Sequence, residues 1–124
     1  MNILIVEDNA DLAQTTGWIV ESFGHDYRIC LCGSEAIANG PAYKPDVVVM
    51  DIGLPDINGY ELCRRLRAIP EFQRTVFIAQ SGRDDVDHYK LAKEAGFHHH
   101  VVKPATMDEI GKLLDVVSVS ACEQ

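Results

Sequence analysis

No stretch of this chain holds the roughly 18 or more consecutive apolar residues that a membrane-spanning helix needs. Apolar residues begin directly after Met1 in a strand-like run, with none of the basic flank of an export signal. The expectation is a cytoplasmic protein with no membrane contact. Basic residues are also scarce: 11 Lys and Arg stand against 19 Asp and Glu, a formal net charge of −8. A protein that tracks a nucleic-acid backbone needs clustered cations to displace counterions, so direct nucleic-acid binding is not expected.

Cysteines number four (Cys30, Cys32, Cys63 and Cys122), and none stands in a zinc-ribbon or Cys-x-x-Cys spacing. They read as reduced thiols, with Cys30 and Cys32 on one face of a strand. Internal repeats and low-complexity tracts are absent too. A chain of 124 residues with 47% hydrophobic content has the size and apolar content of one domain, 1–124, around a sizeable core.

Short apolar runs rich in β-branched residues alternate with stretches of helical period. That is the signature of βα units winding a parallel sheet. Five strands are expected near 2–6, 27–32, 46–51, 75–80 and 99–102. The inward faces of the helices read as Leu12, Ile19, Val20 and Phe23, then Leu62, Leu66 and Ile69, and finally Met107, Ile110, Leu113, Leu114 and Val117. Gly24, Gly33 with Ser34, Gly40-Pro41, Pro45, Pro70 and Gly96 read as turns between elements. The fourth helix, near 84–95, is mostly polar and is expected to be loosely anchored. Trp18, in the first helix, is expected to be partly buried.

Charged residues sit where these runs end. Glu7 and Asp8 close the first strand, and Asp51 closes the run Val47 to Met50. Ser81 and Gly82 close the fourth strand, and Lys103-Pro104 closes the fifth. Open α/β sheets place their chemistry at the carboxyl ends of strands. Two carboxylates about 4 Å apart repel by on the order of 4 kcal/mol at an effective dielectric of 20. They must take up a proton or share a cation. Oxygen ligands without His or Cys at ligand spacing favour Mg²⁺, and the backbone carbonyl of Gly53 lies near enough to join Glu7, Asp8 and Asp51 as a ligand. A carboxylate beside such a cation and an ammonium group is equipped to attack phosphorus. Asp51 is the candidate nucleophile, with Lys103 and Ser81 placed to hold phosphoryl oxygens.

Taken together, Glu7-Asp8, Asp51 with Leu54-Pro55-Asp56 and Gly59, Ser81-Gly82 and Lys103-Pro104 resemble the receiver domain of two-component response regulators over essentially the full chain. The resemblance implies a single doubly wound α/β sheet of five parallel strands, in the flavodoxin-like order 2-1-3-4-5, with helices on both faces. It implies that Asp51 accepts a phosphoryl group from a phosphohistidine on a sensor histidine kinase or histidine phosphotransfer protein, with Mg²⁺ held by Glu7 and Asp8. Ser81 and Lys103 would then bind the phosphoryl group. Such a domain is a substrate and switch, not an enzyme in the ordinary sense. Movement of Ser81 would reshape the face of helix 4, strand 5 and helix 5 for a downstream protein partner, with a phosphorylation-dependent homodimer left open.

The family's switch aromatic on strand five falls here on His100. The phrase Gly96 to Pro104 resembles receivers of hybrid sensor kinases. Three histidines in a row suggest a metal site, but alternation along a strand sends His99 away from His98 and His100. The resemblance also implies that Lys103-Pro104 is a candidate cis peptide and that Gly53 and Arg83 flank the phosphoryl position. The alternative is a receiver-like interaction module that is never phosphorylated. An aspartate-nucleophile phosphatase is disfavoured because it would want an acid where Gly53 stands.

Overall fold

The computed structural model describes residues 1–82, 86–103 and 105–122, and of 86–89 and 118–122 only the backbone. Arg83 and Pro104 therefore lie outside the described residues, as does the side chain of Cys122. The strands are β1 (Asn2–Val6), β2 (Asp26–Cys30), β3 (Val47–Asp51), β4 (Val76–Ser81) and β5 (His99–Val102). Between and after them run α1 (Ala10–Ser22), α2 (Gly33–Tyr43), α3 (Gly59–Arg67), α4 (Val86–Ala95) and α5 (Met107–Cys122), with a 3-10 turn at Pro70–Phe72. All strand pairs are parallel and the order is β2-β1-β3-β4-β5. Among the described residues no helix is long and apolar enough to cross a membrane.

The near-continuous apolar runs follow from burial of both sheet faces. Leu4, Val6, Val48, Met50, Phe77 and Ala79 face one layer, where Leu62 and Leu66 of α3 and Ala92 and Ala95 of α4 pack. Ile3, Ile5, Val47, Val49, Ile78 and Val101 face the other, against Ala13 and Val20 of α1 and Ile110, Leu114 and Val117 of α5. Residues alternate between the two layers, as the two-residue period of a strand requires.

Several expectations need correction. Trp18 is 62% exposed. Gly17 takes the inward position instead, because a Cβ there would meet the Tyr27 ring at 2.5 Å, and the next residue on the helix turns outward. Met107, in the first turn of α5, is 54% exposed, and Phe23 is 42% exposed, its ring lying against Gly111 of α5 and not under the sheet. Gly33 and Ser34 are not a turn but the start of α2. Gly40-Pro41 also lies inside α2. The residue before a proline resists helical geometry partly through its Cβ, which Gly40 lacks. A Cβ there would also come within 2.9 Å of Phe72. The helix stops at Lys44, left-handed at φ 52°, just before Pro45.

Cys30 and Cys63 are buried, and burial pushes their thiols up to about 11 and about 12 respectively. Neither forms a reactive thiolate near neutral pH.

Replacing Leu66, fully buried between α3 and the sheet, with alanine should lower the unfolding free energy by about 2–5 kcal/mol. Urea denaturation of Leu66→Ala checks this, with the denaturant slope expected to stay constant.

Candidate functional site

Glu7, Asp8 and Asp51 converge because β1 and β3 are neighbours in register, Val6 opposite Met50. One carboxylate oxygen from each lies within 4.8 Å of the others. Glu7 and Asp51 are buried, at 2% and 8% exposure, while Asp8 is exposed at the rim. The Lys103 ammonium reaches in from the end of β5, donating to Glu7 Oε1 at 2.5 Å and lying 3.1 Å from Asp51 Oδ1. Ser81 ends β4 and is buried, and its carbonyl accepts the Lys103 backbone N–H at 2.7 Å. Asp51 stands opposite Gln80 in the β3–β4 register, which puts Ser81 one residue further along the same mouth.

The loop after Asp51 is held by backbone bonds. Gly53 N–H donates to Asp51 Oδ1 at 3.2 Å, Ile52 N–H to the Gln80 carbonyl at 3.2 Å, and Gly59 N–H to the Ile52 carbonyl at 2.8 Å. Gly59 cannot carry a side chain without a shift, because its Cβ would lie 2.8 Å from the Asp51 carbonyl oxygen and 2.7 Å from Ile52 Cα. Gly53 is exposed, with open space where a Cβ would stand.

Burial raises the Glu7 carboxyl above the usual range, against the opposing pull of Lys103, while a hydrogen bond shared with Glu7 lowers exposed Asp8. The two shifts run in opposite directions: burial disfavours the charge on Glu7, while the bond to Glu7 favours the charge on Asp8. Burial alone would lower Lys103, but its bonds to Glu7 and Asp51 outweigh that and hold it above the ordinary lysine range.

This donor set fits a hard divalent cation. Two buried carboxylates and one exposed carboxylate offer oxygens at mutual distances that one ion can span, with solvent at the rim to complete its shell. Mg²⁺ bound there would neutralise charge on a transferring phosphoryl group.

Three further residues shape the mouth. Asn9 caps α1 by accepting from Leu12 N–H at 3.1 Å and donates its own N–H to Glu7 Oε2 at 3.2 Å. Asn58 caps α3 through Glu61 N–H at 2.9 Å. The carboxylate of Asp56 accepts from Gly33 and Ser34 N–H, each at 2.9 Å. Both caps use a residue type suited to the position, and Asn58-x-x-Glu61 has the spacing of a capping box. The Asp56 contact joins residues more than twenty positions apart, beyond any local pattern.

His100 stands opposite Ala79 and is half-buried, lining a groove of about 420 Å³ with Ala92, Lys93 and Phe97. His98 has a different task. Its backbone N–H donates to the Phe77 carbonyl at 2.8 Å, and its Nδ1 accepts the Phe77 N–H at 3.0 Å. A ring used this way is a structural partner of β4, and among the described residues the three histidines form no metal cluster.

A doubly wound sheet of order 2-1-3-4-5, with acids, a hydroxyl and a lysine at its carboxyl edge, is an α/β domain of the flavodoxin-like class with its site where such sheets place their chemistry. The family model of the response regulator receiver domain matches residues 3–115, and the chain belongs to that family. It is 31% identical over 110 residues to the transcriptional regulatory protein TrcR of Mycobacterium tuberculosis, covering 89% of this chain and 42% of that protein. The chain spans less than half the length of curated relatives it matches. Among solved structures it is similar to a CheY-like response regulator receiver domain from Methylobacillus flagellatus, with a TM-score of 0.83 and 27% identity over 94% of this chain and 98% of that one. It is also similar to the signal receiver domain of a signal transduction histidine kinase from Syntrophus aciditrophicus, with a TM-score of 0.84 and 26% identity, covering 94% of this chain and 88% of that one. Receiver domains of this family are two-component signalling switches, not enzymes in the ordinary sense, and bind Mg²⁺ at an acidic pocket.

The raised Glu7 carboxyl has a consequence for stability. Its folded-state pKa exceeds the unfolded value near 4.3, so the folded chain holds the proton more tightly. The stabilisation is full below that unfolded value and is lost as pH rises through the folded one. Glu7→Gln keeps the neutral form at all pH. In EDTA, stability relative to wild type should therefore rise with pH from about 4.3 upward. A pH series of urea denaturations measures the difference, and a constant gap would contradict the assignment.

Proposed function

We propose that this chain, read as one receiver domain over 1–124, accepts a phosphoryl group on Asp51 from a phosphohistidine of a sensor histidine kinase or histidine phosphotransfer protein. The observation that carries this is the convergence of Glu7, Asp8, Asp51 and Lys103 in one partly open mouth. Mg²⁺ is assigned to Asp8, Asp51 and the Gly53 carbonyl, with Glu7 bearing on the same ion. An Asp51 oxygen attacks phosphorus as the phosphorus–nitrogen bond breaks. The electron pair leaves on the imidazole, and an acyl phosphate remains on Asp51.

Lys103 meets the new anion. Its ammonium already lies 3.1 Å from Asp51, so it clamps the phosphoryl oxygens without a long excursion. Ser81, one residue past the Asp51 register partner, supplies a hydroxyl. Its movement toward the phosphoryl group passes to the face of α4, β5 and α5, where His100 takes the position of the switch residue.

Output then goes to a protein partner that reads this face, which includes the groove beside His100, or to a phosphorylation-dependent homodimer. The chain itself makes no direct nucleic-acid or membrane contact and works in the cytoplasm. The likeness to a receiver of a histidine kinase supports a place in a phosphorelay.

Incubation with a small phosphodonor and Mg²⁺, followed by intact mass measurement, tests the reading. A single phosphoryl adduct is expected, absent in Asp51→Asn and in EDTA. Asp8→Asn should raise the Mg²⁺ concentration for half-maximal loading by roughly tenfold or more, since one of the carboxylates facing the ion is gone. No adduct on the wild-type chain would favour a module that binds partners without phosphorylation.

A further inference from the structure

The first turn of α2 does not supply its own cap. Cys32 holds the cap position at φ −156° and ψ 169°, and its side chain, which meets the Ser34 hydroxyl at 3.2 Å, caps no backbone N–H of the helix. The free N–H groups of a helix start need acceptors, and here two of them find theirs on the acceptor loop. Asp56 Oδ1 takes Gly33 N–H and Oδ2 takes Ser34 N–H, each at 2.9 Å.

The fit between loop and helix is close. A Cβ on Gly33 would lie 2.2 Å from Ile57 Cγ2 and 3.3 Å from Asp56 Oδ1. Only glycine lets the loop settle on the helix without a shift. The loop is thus fastened at both ends: residues 51–53 to the ends of β3 and β4, and residues 56–57 to α2. Gly53, exposed and with open space where a Cβ would stand, is held on one side by its own N–H on Asp51 Oδ1. A glycine has wide backbone freedom, so the direction of its carbonyl, which leads toward residues 54–57, depends on how the far end of the loop is held.

We propose that Asp56 is a positioning residue for the acidic mouth: by clamping the first turn of α2 it fixes the loop and thereby aims the Gly53 carbonyl at the cation. This rests on the assignment of Mg²⁺ to Asp8, Asp51 and Gly53. Its consequence is a preorganised ligand, so that cation binding need not order the loop. Loss of the clamp therefore weakens the ion's hold without changing the chemistry at Asp51.

The experiment is Mg²⁺ titration of the whole chain by calorimetry, with amide hydrogen exchange at residues 33, 34 and 53 followed by NMR. Asp56→Ala should raise the Mg²⁺ dissociation constant about three- to tenfold, an effect of the size of one lost positioning bond. Protection at the Gly33 and Ser34 amides should fall with it. Loading by the phosphodonor should slow at low Mg²⁺ and recover at saturating Mg²⁺, which separates affinity from rate.

Removing Asp56 also removes a charge near the cation, so a second variant is needed. Ser34→Pro deletes one of the two clamped N–H groups at a first-turn position that tolerates proline, and leaves every carboxylate in place. It should weaken Mg²⁺ binding in the same direction. It also stands in if Asp56→Ala fails to fold. A wild-type chain that binds Mg²⁺, with Ser34→Pro binding it within twofold, overturns the positioning role alone. A wild-type chain that binds no Mg²⁺ overturns the underlying assignment and the clamp's purpose with it.

Discussion

The ammonium of Lys103 between Glu7 and Asp51 is the contact on which the rest of the site depends. Three carboxylates brought within 4.8 Å of one another repel strongly, each close charged pair by several kcal/mol at an intermediate dielectric. Two of them are buried, which adds a desolvation cost. The lysine, paired with both Glu7 and Asp51, offsets part of this. What remains is an anionic mouth that a divalent cation relieves further. The site therefore keeps residual negative charge at its rim, which a hard divalent cation would relieve.

Geometry makes this contact demanding. Lys103 leaves β5, while Asp51 belongs to β3, two strands away at about 4.8 Å each, and Glu7 to β1, one strand further. A long flexible side chain must cross the end of β4, so the residue ending β4 has to be small. Ser81 meets that requirement and leaves a hydroxyl in the path. The strand order, with β1 and β3 adjacent and β5 at an edge, is thus what turns four strand ends into one cavity.

Much of this was legible in the sequence because strands buried on both faces advertise themselves. Val47 to Met50 and Ile3 to Val6 have no polar alternation, and charge appears only where each run meets solvent. The family resemblance then supplied the order that brings those ends together. What failed was local reading of punctuation. Gly33 and Ser34 have turn chemistry, but Asp56 supplies the acceptors their N–H groups lack and makes them a helix start. Gly40-Pro41 stays helical because Gly40 is pressed beneath Phe72. Met107 and Trp18 have apolar side chains at positions where the helix turns toward solvent, so periodicity alone placed Met107 inside. Each miss is a tertiary contact or a rotation of one residue.

The histidines of β5 show how one sequence feature divides into separate roles. Residues opposite one another in a parallel pair share a face, so His99 beside Ile78 faces the layer of α1 and α5, and His100 beside Ala79 faces α4. His98, just before the strand, turns its ring to Phe77 and extends the β4–β5 ladder with a side-chain acceptor. That role requires a neutral Nδ1, and burial, with Arg67 and His99 nearby, lowers its proton affinity accordingly. The run that suggested a metal site is better described as one structural acceptor and two rings on opposite layers. His100 lines the groove beside α4, and its register partner Ala79 lies two residues before Ser81 on the same strand.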